Sequence, residues 1–250
     1  MAGRRTYRTS AIVLDRTKLA EQDLILTLLA ASGAEVRAVA KGARKPGGRL
    51  ASRVELFSET DFLLAKGRGA LDIVSEASLV DAHQRIRGDF ARLSAASAIA
   101  EVARLTCFQD SKDGFLYPIC SRALAAVEQA ADQEHLDLVV ATYAFKVLAH
   151  AGWRPALDSC VACGDADVSY FSVRAGGVLC ASCAKDVPGA EEMGPARRDW
   201  LCSLIGLTFD ALLAPGIDLE TSTELVSLAH RWAATHLDAR LRAFEFLLSV

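Results

Sequence analysis

The spacing of hydrophobic and polar positions changes near residue 80. Before that point, short apolar stretches recur between glycines and charges, at residues 10–14, 24–29, 35–40, 59–65 and 71–77. Ile, Val and Leu dominate them, and 35–40 alternates, so each is predicted to be a strand. Short strands joined by glycine-bearing turns predict a small barrel or sandwich. Residues 41–49, KGARKPGGR, interrupt the series; three glycines and a proline make them a loop.

After residue 81 the apolar positions step by three and four. Ile86, Phe90, Leu93, Ala96 and Ala100 fall on one helical face. Helices are likewise predicted over 116–131 and 135–151, the second stopped by Gly152. A helix resumes near residue 195, with Trp200, Leu204 and Leu207 on one face, and two more cover 224–236 and 240–248. Segment 154–188 breaks the helical run and carries cysteines. The plan is therefore a β domain over 1–80, then a helical domain over 81–250 with an insert at about 154–188.

A hydrophobic fraction of 52% in 250 residues supports a core without disulfides. The apolar stretches fall well short of the roughly 18 residues a membrane span needs, and the N-terminus has no apolar run of the signal-peptide kind. A cytoplasmic protein with no membrane partner is expected. In that compartment clustered cysteines bind metal more often than they form bridges.

Cys160 and Cys163, then Cys180 and Cys183, form two CxxC pairs separated by sixteen residues. Each CxxC turn aims two thiolates at one point, and two turns complete a tetrahedron. One structural zinc ion is predicted, with no open position for chemistry. Gly164 suits the tight turn after the first pair, and a short hairpin around Gly176 and Gly177 is expected between the pairs. Neither pair begins a helix after a βαβ-type strand, which disfavours redox chemistry. Cys107, Cys120 and Cys202 are predicted to be buried apolar residues.

The net charge of −3 hides an asymmetry. Residues 1–53 hold eleven Lys or Arg and four acids, a net of +7, which leaves −10 for the rest. The candidate nucleic-acid contacts are Lys41, Arg44, Lys45, Arg49 and Arg53 in or beside the glycine-rich loop, with Arg8, Arg16 and Lys18 flanking the first strand, as Arg4 and Arg5 do. Cations on the loops of a small barrel can follow a phosphate backbone; a solvated charged loop is the alternative reading. GARKPGG lacks the Gly-Lys-Ser/Thr ending of a nucleotide loop. For base stacking only Tyr7, Phe57 and Phe62 are at hand, and Phe62 reads as core. The five histidines pair with no carboxylate at a recurring spacing, and no catalytic motif is present. A binding protein, not an enzyme, is expected.

Four stretches carry a resemblance to a known family: EQDLILTLL at 21–29, AVAKGARK at 38–45, LYP at 116–118 and GWRPALDSCVACG at 152–164. In this order they resemble the bacterial recombination-mediator family RecO, over almost the whole chain. The turn before Glu21 departs from the family pattern, reading Lys-Leu-Ala where an aromatic-glycine pair is common. The resemblance implies an N-terminal OB-fold, a helical domain and a zinc knuckle. It implies binding of single- and double-stranded DNA in the nucleoid and annealing of complementary strands. It also implies partnership with RecR and with the C-terminal tail of single-stranded DNA-binding protein in loading the RecA recombinase. Two other classes stay open: a zinc-ribbon scaffold that binds only proteins, and a metal-dependent nuclease whose carboxylates are not paired in sequence.

Overall fold

The structure, a computed structural model, describes residues 5–67 and 69–249; Arg4 lies outside them. The strands β1 (Thr6–Lys18), β2 (Leu24–Ala30), β3 (Glu35–Ala40), β4 (Glu59–Ala65) and β5 (Asp72–Asp81) close a barrel in the order β1-β2-β3-β5-β4. This is the OB-fold arrangement. β1 and β5 extend beyond their apolar stretches, so Arg8 lies within β1 and does not precede it. β1 is long because it pairs along both sides: Thr6–Ile12 with β4 and Ala11–Lys18 with β2. A bulge between Val13 and Asp15 bends it from one partner to the other. Closure is completed by parallel pairing of β3 with β5 at Ala38↔Asp72 and Val39↔Ile73.

Alternation puts Val13, Leu26, Leu28, Ala38, Phe62 and Leu64 in the barrel core. The loop after β3 joins this core, since Ala43 and Val54 are buried with it and Leu50 packs against it. A single 3-10 turn, Ala51–Arg53, leads from that loop towards β4.

Helices α1 (Gln84–Arg87), α2 (Phe90–Thr106) and α3 (Leu116–Gln129) follow. The Asp89 carboxylate accepts the Arg92 N–H and caps α2, a contribution of about 1 kcal/mol. The predicted apolar face needs correction. Ile86 sits in a separate short helix, and Phe90, the first residue of α2, is 59% exposed. The buried stripe starts at Ser94 and runs through Ala95, Ala98, Ile99 and Val102.

Compactness divides the chain after Glu128, whereas the change of hydrophobic period falls near residue 80. The first unit takes in α1, α2 and nearly all of α3. Arg87 of α1 donates to the Leu56 carbonyl and Tyr117 of α3 to Glu59 of β4, and the Glu35 N–H donates to the Phe108 carbonyl, just past α2, at 3.0 Å.

The second unit is built on α4 (Gln133–His150), buried on almost every side, and α8 (Leu219–His236), which packs against it. Buried Trp232 of α8 lies 6.1 Å from Phe145 and 5.7 Å from Phe171, ring to ring. Between them come a small sheet of β6 (Tyr170–Ser172), β7 (Gly177–Leu179) and β8 (Glu191–Glu192), and the one-turn helix α5 (Ala181–Ala184). α6 (Pro195–Gly206), α7 (Phe209–Leu213) and α9 (Arg242–Leu247) complete the unit. In α6 the buried positions are Leu201 and Leu204; Trp200 is half-buried, and Leu207 lies past the helix end and is exposed. No described helix is long and apolar enough to cross a membrane.

Candidate metal centre and nucleic-acid interface

The four cysteines meet in the second unit. Their sulfur atoms all lie within 4.8 Å of one another. Cys163 Sγ and Cys180 Sγ are 3.7 Å apart, near the roughly 3.8 Å edge of a tetrahedron with metal–sulfur bonds of about 2.3 Å. The first pair is shaped by two short main-chain bonds. Cys160 N–H donates to the Asp165 carbonyl, and Gly164 N–H to the Cys160 carbonyl, each at 2.8 Å. Gly164 has φ +82°, a conformation that favours glycine. The hairpin turn runs through residues 173–176, so Gly177 already belongs to β7. The second pair lies at the start of α5, with Cys180 as its N-cap.

The charge chemistry suits a cation. Main-chain N–H groups, that of Cys180 foremost and then those of Ala162 and Cys163, hold the Cys160 thiol down to about 6. Hydrogen bonds to the sulfurs of Cys163, Cys180 and Cys160 push Cys183 up to about 12. One thiolate therefore resists the ionisation of its neighbours until a cation compensates them. The four residues fit a metal ion. Cys107 and Cys120 are buried as predicted, but Cys202 is exposed, because it lies on the side of α6 away from Leu201 and Leu204.

The candidate cations of the barrel separate into three groups. Lys18 is paired with Leu24, and Leu24 with Ala40, so Lys18 and Lys41 share one end of the barrel. The glycine-rich loop is laced to the β1–β2 turn there. Gly42 N–H donates to Asp23 Oδ1 at 2.8 Å, and Arg44 N–H to the Gln22 carbonyl at 3.0 Å. Arg44 Nη1 also reaches the Glu21 carbonyl at 2.9 Å. Lys18, Lys41, Arg44, Lys45 and Arg49 are all exposed. Arg16 and Arg53 are half-buried and used internally. Arg16 bonds Glu55 at 2.6 Å, and Arg53 donates to the Ala77 carbonyl at 2.8 Å. Arg8 lies towards the other end of β1, 3.7 Å from Glu76.

The candidates named from the sequence do not include Arg37. It is exposed on β3 opposite Thr27, on the strand 2–3 face that OB-folds use for oligonucleotides. The EVRAVA alternation could have identified it. The aromatic candidates offer little. Phe57 and Phe62 are both 1% exposed and belong to the core. Tyr7 donates its hydroxyl to Asp72, with Lys66 Nζ 4.7 Å from the ring centroid.

A second polar cluster escaped sequence reasoning. His83, 2% exposed, faces Glu128 Oε2 at 3.0 Å through Nδ1 and Glu59 Oε1 at 3.4 Å through Nε2. Asp81 lies 3.7 Å from Nδ1. Tyr117 donates to Glu59. Burial opposes the imidazolium, but hydrogen bonds to Glu59 and Glu128 and the Asp81 charge outweigh it and raise the His83 pKa. The histidine bond, against the cost of burial, lowers that of Glu59. Asp81, His83 and Glu128 place one donor atom each within 4.8 Å, close enough for a metal ion. With both ring nitrogens facing carboxylates, the imidazolium itself is the cation this cluster needs. The separations, 24 and 45 residues, left no local signal.

Comparison with known proteins matches residues 1–83 to the family described as Recombination protein O N terminal, and 87–243 to Recombination protein O C terminal. A protein of Bifidobacterium longum (strain DJO10A) named DNA repair protein RecO is 33% identical over 248 residues, covering 96% of this chain and 98% of the relative. One of the same name from Frankia casuarinae is 33% identical, with the same coverage. Another, from Roseiflexus sp. (strain RS-1), is 37% identical over 72% of this chain and 63% of its own. With both halves matched in order, the chain belongs to the Recombination protein O family.

Proposed function

We propose that this protein is a DNA repair and recombination mediator. It binds single- and double-stranded DNA through the loop end of its barrel and anneals complementary strands. With RecR, it helps load the RecA recombinase onto DNA coated by single-stranded DNA-binding protein, whose C-terminal tail it engages. The observation that carries this reading is the lacing of the β3–β4 loop to the β1–β2 turn, which gathers Lys18, Lys41, Arg44 and Lys45 on one surface. Cations gathered there displace counterions from phosphates, giving affinity with little sequence preference. Neutralising two strands on one protein lowers their mutual repulsion and favours pairing. No bond is broken in these steps.

The four cysteines hold one zinc ion in this reading. Four thiolates leave no open coordination position, so the ion supplies folding energy to the insert. The acidic remainder keeps DNA off the helical unit and leaves its surface for proteins.

The test is annealing of complementary strands coated with single-stranded DNA-binding protein, together with single-strand binding at two salt concentrations. Annealing above the uncatalysed rate and salt-sensitive binding are expected. Failure to bind DNA even at low salt would leave a scaffold that binds only proteins.

A further inference from the structure

The cationic end of the barrel also carries an acid. Asp23 ends the β1–β2 turn, among Lys18, Lys41, Arg44 and Lys45, and by charge alone it repels a polyanion. Its geometry gives it another role. Its carboxylate accepts the Gly42 N–H at 2.8 Å, and its carbonyl accepts the Leu19 and Ala20 N–H groups at 3.1 and 3.5 Å. One residue thus closes its own turn and tethers the start of the basic loop to it. Gly42, the tethered residue, has φ +66° and stands between Lys41 and the buried Ala43. The tether is where the loop leaves the sheet and its cations begin. Beyond it, Ala43 and Leu50 are held by the core, and Arg44 by the Gln22 and Glu21 carbonyls.

We propose that Asp23 is a positioning residue for polyanion binding: it holds the basic loop against the β1–β2 turn, so that Lys41, Arg44 and Lys45 share a surface with Lys18. The proposal rests on the DNA-binding reading and goes beyond it, because it assigns a carboxylate a favourable part in binding an anion. Ordering the cations before DNA arrives reduces the entropy lost on binding, and that gain exceeds the repulsion of one partly satisfied carboxylate.

The sign of the effect makes the proposal testable. Electrostatics alone predicts that removing any acid from this surface strengthens binding. Positioning predicts the reverse for Asp23→Ala only. Asp23→Asn removes the charge but keeps an oxygen that accepts the Gly42 N–H. Glu21→Ala removes an equal charge from the same turn, where Glu21 serves the lacing through its main-chain carbonyl. Binding of a fluorescent oligothymidylate to the full zinc-loaded chain is measured at low salt, beside thermal unfolding of each variant. The expected order is Asp23→Ala about fivefold weaker than wild type, with Asp23→Asn and Glu21→Ala as tight or tighter. Asp23→Ala binding as tightly as Glu21→Ala would overturn the proposal. So would Asp23→Asn binding as weakly as Asp23→Ala, since the carboxylate's hydrogen-bonding role would then be excluded. If wild type fails to bind at all, the DNA-binding reading fails, and the positioning of Asp23 for it fails with it. If wild type binds and only the sign for Asp23→Ala is wrong, the DNA-binding reading stands and the positioning role alone is lost.

Discussion

His83 shows how a single buried charge can join distant parts of a chain. It occupies the left-handed region at φ +42°, a conformation that costs a non-glycine residue about 1 kcal/mol or more. Its ring is held there by Glu59 of β4 and Glu128 of α3. Removing one partner of such a buried set leaves charges uncompensated, so His83→Gln is expected to destabilise the first unit by about 3 kcal/mol. The pH dependence has a definite sign. The His83 pKa is raised above its ordinary 6.5. Its contribution is therefore full below that value and is lost as pH rises through the folded value. Glu59 is lowered from 4.5, so its contribution is full above that value and is lost as pH falls through the folded one. The cluster stabilises most between 4.5 and 6.5. Urea unfolding should show the gap between wild type and His83→Gln narrowing as pH is raised from about 6 to about 9. A gap that widened would mean the histidine is neutral in the fold.

At the scale of elements, the basic loop and the cysteine insert do different work. The loop is a surface element anchored at Ala43, Leu50 and Val54, so its exposed cations can be removed without opening the core. Changing Lys41, Arg44 and Lys45 together to Ala should flatten the salt dependence of single-strand binding by about 2 in log–log slope, at about 0.7 per cation. An unchanged slope would move the DNA site elsewhere. The insert has two short strands in a hairpin and a one-turn helix, too little to fold without a cross-link. Cys160→Ala is expected to lose the metal, measured by elemental analysis, and to lower the thermal stability of the second unit, since binding energy here is folding energy. Full metal occupancy in that variant would remove Cys160 from the ligand set. The CxxC spacing was legible because each pair is local. The exposure of Cys202 was not, because it depends on which side of α6 its neighbours cover.

For the molecule as a whole, charge separates along the chain, with the excess of cations before residue 54 and of acids after it. Hydrogen exchange with and without single-stranded DNA should therefore show protection in residues 18–50 and none in α4 or α8. Protection confined to those helices would reverse the assignment. Much of this plan could be read locally. β3 and β4 lie where their apolar stretches placed them, and β3 shows why: a half-buried strand writes its two faces into every second residue. The sequence by itself determined the change from strands to helices, the cysteine insert and the basic loop, all of which depend on spacings of a few residues. Only the tertiary structure decided which cations share a surface. It used Arg16 and Arg53 for internal bonds, left Arg8 towards the far end of β1, and brought Asp23 to Gly42 and His83 to two carboxylates. Those outcomes rest on strand register and on contacts between residues far apart in the chain, and no local pattern of residue types encodes either.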